Sequence, residues 1–352
     1  MAKYFQNIPL QPENLESLRD AIIKKVIDDE DLRRVVTIKR VKTGDPLAII
    51  GEMDAVGHAG AGCNPTYEQI GINDELQRWA LGAWEIALKI CYEDLEDTIA
   101  EYSLRTGTAI GDLTGTDFMA VFMELLVTQI RRMLWRLIWF GSTTAETIAN
   151  GGDLTNGTDK TLFTVNEGLF NRFGAIVNND ANRLTAVTAN TGATYAAQKA
   201  AVLVSGYATG LMDSILMDAP AGINASGNAA LIMNKKLADA LARDVKLNYK
   251  DIMPWERIFE GVYVSSYGGV RVIASETWDY MIHNYFNTGT AYEYPYRVVY
   301  ADPRNLLVGV DKEDPVNDVD IIFDRVNRMN HVYATGKIDT LVAQPDLIQV
   351  AW

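Results

Sequence analysis

Cysteine is nearly absent from this 352-residue chain, with only Cys63 and Cys91. Two thiols make no disulfide framework, and such usage fits synthesis in a reducing compartment. Three histidines occur, His58, His283 and His331, and none has a partner at HxH, HxxxH or HExxH spacing. A local zinc site is thereby excluded, leaving only one assembled from distant residues. There is no GxSxG elbow, no Walker A lysine and no dinucleotide fingerprint. The run GHAGAG at 57–62 lacks the Lys-Ser/Thr of a phosphate loop and reads as a connector. Positive charge is short as well: 32 Lys and Arg against 46 Asp and Glu, a net charge of −14. Sequence-specific DNA binding needs clustered bases and is disfavoured. No long apolar run is free of charge. The one membrane candidate, Phe118 to Phe140, carries Glu124, Arg131, Arg132 and Arg136 and is rejected. The first residues, MAKYFQNIPLQPENLES, hold no apolar core of a signal peptide.

What the chain does contain is ordinary globular composition, 48% hydrophobic and 22% charged, enough for two or three domains. Its most informative stretch is Asp112 to Ser142. Thr114 followed by Asp117 resembles a capping box. Phe118, Val121, Phe122, Leu125, Leu126, Ile130, Met133, Leu134 and Leu137 then form a helical stripe that Gly141 stops. Trp135 and Trp139 read as packing anchors. Upstream, residues 1–34 form an arm with a short amphipathic helix near Asn14 to Ile27. Residues 33–53 read as a β-hairpin turning at Lys42-Thr43-Gly44-Asp45-Pro46. That segment is basic through Arg33, Arg34, Lys39, Arg40 and Lys42. Such bases either protect an edge strand or lie on an acidic neighbour. The acidic counterpart lies between Asp302 and Asp324 and includes Asp311, Glu313 and Asp314. Its spacing fits no EF-hand loop, so it reads as a solvated face, and no metal or cofactor is expected.

Elsewhere, Leu76 to Ile90 reads as one strand, with Trp84, Ile86, Leu88 and Ile90 alternating, followed by a helix from Tyr92 to Leu104. Residues 142–195, rich in Gly, Asn and Thr, read as a surface insertion with a fragment at Gly168 to Val177. An α/β unit follows at 196–282: an Ala-rich helix from Ala196 to Met217, a strand at Ala229 to Met233, and a helix from Lys235 to Arg243. An aromatic loop spans 283–295, and the chain returns to strands from Tyr296 to Trp352. One long helix and several β extensions without a catalytic constellation point to a building block.

This order of elements resembles the major capsid proteins of tailed bacteriophages. The likeness is carried by WEIALKICYEDLEDTIAEY, the long helix ending in WFGS, INASGNAALIMNKKLADAL, GGVRVIASE, YADPRNLLVGVD and the terminal DVDIIFDRVNRMNHVYATGKIDTLVAQPDLIQVAW. The resemblance implies an α+β fold of the Hong Kong 97 type. Residues 1–34 would be the N-terminal arm, and 35–75 an extended β-hairpin loop with a Gly-rich connector. Residues 76–195 would be a peripheral domain with a spine helix at about 115–140, packed through Phe118, Phe122, Leu125 and Trp135. Residues 196–295 would be an axial domain, and 296–352 closing strands, mostly peripheral. It further implies no enzyme activity, no cofactor, and self-assembly into hexamers and pentamers of an icosahedral virion capsid, built in the host cytoplasm. Partners would be separate scaffolding, portal and decoration proteins, with packaged DNA touched only non-specifically and no membrane. Inter-subunit contacts would use Arg33, Arg34, Lys39, Arg40, Lys42, Asp311, Glu313 and Asp314. No Asn partner for a Lys39 or Lys42 crosslink stands out. Two rivals are an encapsulin-like shell around an enzyme cargo, and a soluble α/β enzyme with a site of dispersed acids and histidines.

Overall fold

The computed structural model describes residues 35–53, 72–91, 117–259, 261–311, 320–324 and 329–352. Its strands are β1 (Thr37–Arg40), β2 (Pro46–Met53), β3 (Ile72–Arg78), β4 (Gly82–Cys91), β5 (Leu184–Thr185), β6 (Ala230–Asn234) and β7 (Glu256–Phe259), then β8 (Val262–Tyr267), β9 (Val270–Ser275), β10 (Val298–Ala301), β11 (Leu306–Val310), β12 (Asp320–Asp324), β13 (Met329–Val342) and β14 (Ile348–Ala351). The α-helices are α1 (Asp117–Phe140), α2 (Leu169–Asn179), α3 (Tyr195–Val202), α4 (Tyr207–Asp218), α5 (Ala221–Ala225), α6 (Lys235–Asn248) and α7 (Glu276–Tyr285). The arm at 1–34 and the helix expected at 92–104 lie outside the described residues.

The strands form two sheets and a ribbon. The first sheet runs β1-β11-β13-β12, with β4 on the other edge of β13. The second runs β5-β14-β10-β6-β9-β8-β7, and among the described strands β2 pairs only with β3. Strand β6 is buried at every position because both faces of the second sheet are covered. Ala230 and Ile232 face a core shared with α1, α2 and α7, while Leu231 and Met233 face a core shared with α4 and α6. Period-two alternation thus serves two helical layers through one strand.

Several expectations are corrected. The hairpin of 33–53 does not form. Its turn does: Asp45 N donates to Lys42 O at 3.0 Å, Lys42 N to Asp45 Oδ2 at 2.8 Å, and Gly44 takes φ 91°. The turn is clamped to Trp79, however, with Gly44 N donating to Trp79 O at 2.8 Å. β1 therefore pairs in parallel with β11, and β2 pairs with β3. Alternation reports which face is buried, not which strand is the partner.

The single strand of 76–90 is two strands that belong to different sheets. The chain crosses over at buried Trp79, where Ala80 N donates to Asp339 Oδ2 at 2.8 Å. Gly82 follows, and a Cβ there would lie 1.7 Å from Val165 O, so no side chain fits.

The helix expected over 196–217 is α3 and α4, bent by 75° where Gly206 takes φ 82°. α6 runs five residues past its expected end to Asn248. The fragment expected at Gly168 to Val177 is α2, and the stretch around it is no mere surface insertion. Leu154, Phe163, Leu169 and Phe173 are buried in the core of α1. Their polar neighbours hide these anchors from a composition reading. The closing strands divide: β10 and β14 join the second sheet, while β11, β12 and β13 join the first.

Helix α6 is capped from a distance. Its N-cap residue, Asn234, makes no side-chain cap bond; Asn234 Oδ1 instead accepts from Arg297 N at 3.1 Å. Asp279 of α7 supplies the cap, accepting from Lys236 N at 3.0 Å and Asn234 Nδ2 at 2.9 Å. Burial outweighs these donors and lifts its carboxyl from 3.8 to about 6. A raised carboxylate stabilises the fold most below its unfolded value, and that contribution is lost as pH rises through 6. The stability difference between wild type and Asp279→Asn is therefore expected to shift by up to about 3 kcal/mol between pH 4 and pH 6.5. Urea titrations across that range measure it, and a pH-independent difference would refute the assignment.

Candidate assembly interface

Three of the expected contact residues are displayed on one edge. Lys39 and Arg40 lie on β1 and Lys42 on its turn, all exposed. β1 has β11 as its one neighbour, so its outer edge is open among the described strands. Asp311 directly follows β11, and the parallel register sets Arg40 beside Val310. The basic strand and the start of the acidic run therefore lie side by side within one chain, which charge counting did not foresee. Asp311 reaches Lys337 Nζ at 3.9 Å, an exposed pair worth little. Arg33, Arg34, Glu313 and Asp314 lie outside the described residues.

Among the expected spine contacts, Trp135 is buried and stacks on Trp139 with ring centroids 6.2 Å apart. The side chains of Phe118, Phe122 and Leu125 lie outside the described set. Helix α1 ends where Gly141 meets Gly168: Gly168 N donates to Gly141 O at 2.7 Å, and a Cβ on Gly168 would sit 2.5 Å from Gly141 N. That close crossing locks the spine to α2. Nearer the middle of α1, a cleft of about 350 Å³ opens between α1 and α7, lined by Arg132, Trp135, Arg257 and Tyr280 among others. Arg132 lies over the Tyr280 ring at 5.0 Å, a packing use of its charge.

Sequence reasoning missed two features. One is Arg297, buried with its guanidinium 4.6 Å from the Phe170 ring centre and 5.3 Å from that of Phe140. Nothing in YRVVYAD marks it, because its partners come from distant segments. The other is an exposed apolar tip where the α3–α4 bend meets the end of α6. Val204, Leu247, Tyr249 and Ile252 are 58%, 54%, 64% and 76% exposed. Arg243 Nη1 donates to Leu203 O at 2.8 Å and Ser205 Oγ to Asn248 Oδ1 at 3.1 Å, which holds the two segments together. Exposed apolar side chains gathered this way mark contact surfaces. Among the described residues no group of three or more His, Cys, Asp or Glu could hold a metal ion.

No family model matches the sequence, and no curated protein matches it. Solved structures do match. The procapsid of satellite phage P4, solved with its size determination (Sid) protein, aligns at TM-score 0.51 and 12% identity, over 94% of this chain and 98% of that one. The capsid of Myoviridae phage XM1 aligns at TM-score 0.51 and 12% identity, over 92% and 91% of the two chains. A structure from Gordonia phage Cozz aligns at TM-score 0.50 and 13% identity, over 91% and 85%. At such identity the likeness concerns architecture, and it spans nearly the whole chain. With its spine helix, its extended ribbon and its two sheets, the chain has the Hong Kong 97-type fold of tailed-phage major capsid proteins.

Proposed function

We propose that this chain is the major shell subunit of a tailed-phage head. Its copies form hexamers and pentamers that close an icosahedral capsid around double-stranded DNA. The role is structural, and assembly takes place in the host cytoplasm, with scaffolding and portal supplied by other proteins. The observation that carries the reading is the fold match over 94% of the chain to a procapsid. Two features support it. The β2–β3 ribbon pairs with no other described strand, and the basic edge of β1 has no described strand beside it. Both are surfaces that a neighbour completes. The net charge of −14 suits a shell that encloses DNA without adhering to it.

Expression of the chain alone, followed by size-exclusion chromatography and electron microscopy, tests the proposal. Capsomers, tubes or shells are expected, and a strict monomer at all concentrations would overturn it. Particles filled with an enzyme cargo instead of nucleic acid would move the reading to an encapsulin-like shell. The triple variant Lys39→Glu, Arg40→Glu, Lys42→Glu is expected to fold with a stability within about 1.5 kcal/mol of wild type, since all three side chains are exposed. Its assembly yield is expected to fall at least ~10-fold at low salt. Unchanged assembly would remove this edge from the interface.

A further inference from the structure

Where the end of α1 meets α2 and α7, a cavity of about 200 Å³ opens among Phe140, Phe163, Phe170, Phe286 and Trp352. Its rings brace one another. Phe140 lies 5.0 Å from Phe170 and 5.3 Å from Phe286, and Phe163 meets Phe286 edge-on at 5.9 Å between ring centres. Walls packed in this way resist collapse into the space they enclose. An apolar cavity of about 150 Å³ is already enough to take up benzene. Every wall comes from one chain, so the cavity does not depend on the shell reading.

Two charged side chains also line it, Arg297 and Asp153. Arg297 is only 8% exposed. Its Nε and Nη2 donate to the carbonyls of Tyr294 and Glu293, which fixes the fork, while Nη1 has no acceptor among the described residues. The Asp153 carboxyl is half-buried, and among the described residues it accepts only from its own backbone N–H. No ion pair joins the two groups, although each acts on the other's charge. A donor and an acceptor held apart in an apolar cavity favour a ligand that satisfies both.

Charge decides what fits. A carboxylate would reach Nη1 but stand beside Asp153, with Glu293 acting on the same guanidinium. An ammonium would suit Asp153 but meet Arg297. A neutral hydroxyl serves both, because it donates its proton and accepts at its lone pairs. A phenol adds a ring that matches the aromatic walls, and with a pKa near ~10 it is uncharged at neutral pH. We infer that this cavity is a binding site for a small neutral phenol, whose ring lies among the phenylalanines and whose hydroxyl bridges Asp153 and Arg297 Nη1. The two fixed polar groups set its orientation, and the rigid walls set its size.

Isothermal titration calorimetry of the full-length chain at pH 7 with p-cresol, toluene and benzoate tests this. p-Cresol is expected to bind at least ~10-fold more tightly than toluene, which fills the same space but leaves both polar groups unpaired. Benzoate is expected to bind more weakly than p-cresol. Asp153→Ala is expected to bring p-cresol down to the affinity of toluene and to leave toluene unchanged, which also reports that the cavity is intact. Asp153→Asn keeps a carbonyl acceptor and is expected to keep the preference for p-cresol. No binding of p-cresol up to its solubility, or equal binding of p-cresol and toluene by wild type, would overturn the site. Tighter binding of benzoate would overturn the neutral ligand, and an undiminished preference in Asp153→Ala would overturn the hydroxyl bridge.

Discussion

Trp139→Ala is expected to cost about 3–5 kcal/mol, enough to unfold much of the population of a typical domain. The indole is fully buried at the end of the spine helix. It meets Trp278 of α7 edge-on at 4.6 Å, Phe170 of α2 at 5.7 Å and Trp135 one helical turn back at 6.2 Å. One side chain thus joins the spine to the helix beneath the second sheet and to the helix beside the first. Truncation removes the transfer energy of the ring and opens a cavity among aromatic walls that cannot collapse into it. The indole Nε1 has no hydrogen-bond partner among the described residues. Trp139→Phe therefore sacrifices no bond and is expected to cost only about 1–2 kcal/mol. Equilibrium denaturation of both variants, read by far-ultraviolet circular dichroism, decides the matter. An alanine variant within 1 kcal/mol of wild type would mean that the aromatic junction does not hold the two layers together.

The spine was legible because it is long and locally self-consistent. A stripe of apolar residues and a stopping glycine agree over a 24-residue helix, and it ends at Phe140 as Gly141 implied. The strands β6, β10 and β11 were legible for the same reason: each is a short apolar run between turn residues. Strand partners were not. Thr37 to Arg40 alternates equally well whether paired with Leu47 or Leu307, and only the clamp of Gly44 on Trp79 decides between them. The glycines that break regular structure were not legible. Gly82 is required by the Val165 carbonyl and Gly206 by its positive φ, and neither need is visible along the chain. The exposed charge of Lys39, Arg40 and Lys42 was legible. The exposed apolar tip was not, since Leu247 and Ile252 are indistinguishable in sequence from core residues until the fold leaves them outside.

Arg297→Met is expected to destabilise the fold by roughly 3 kcal/mol at pH 7, although methionine fills much of the same volume. The guanidinium sits among Phe170, Phe140, Phe286 and Tyr294 at 4.6, 5.3, 5.5 and 5.9 Å from their ring centres. Its Nε donates to Tyr294 O at 2.9 Å and its Nη2 to Glu293 O at 3.4 Å, bonds that pin a loop where Tyr294 holds a left-handed φ of 44°. Burial pushes the guanidinium down to about 10, so the cation persists at neutral pH. Burial also raises the carboxyls of Asp153 and Glu293, and the positive charge of Arg297 opposes both shifts. Removing the cation lets both rise further. Carboxyls raised in the fold stabilise it below their unfolded values and lose that contribution as pH climbs through the folded ones. The methionine variant is therefore expected to recover stability as pH falls from 7 toward 4, with wild type changing less. Adding Asp153→Asn to the variant is expected to restore part of the loss at pH 7 and flatten its pH profile. Denaturant titrations at pH 7 and pH 4.5 measure both effects. A loss that is equal at the two pH values and unmoved by Asp153→Asn would show that the aromatic contacts and the loop bonds, not the charge, account for this arginine.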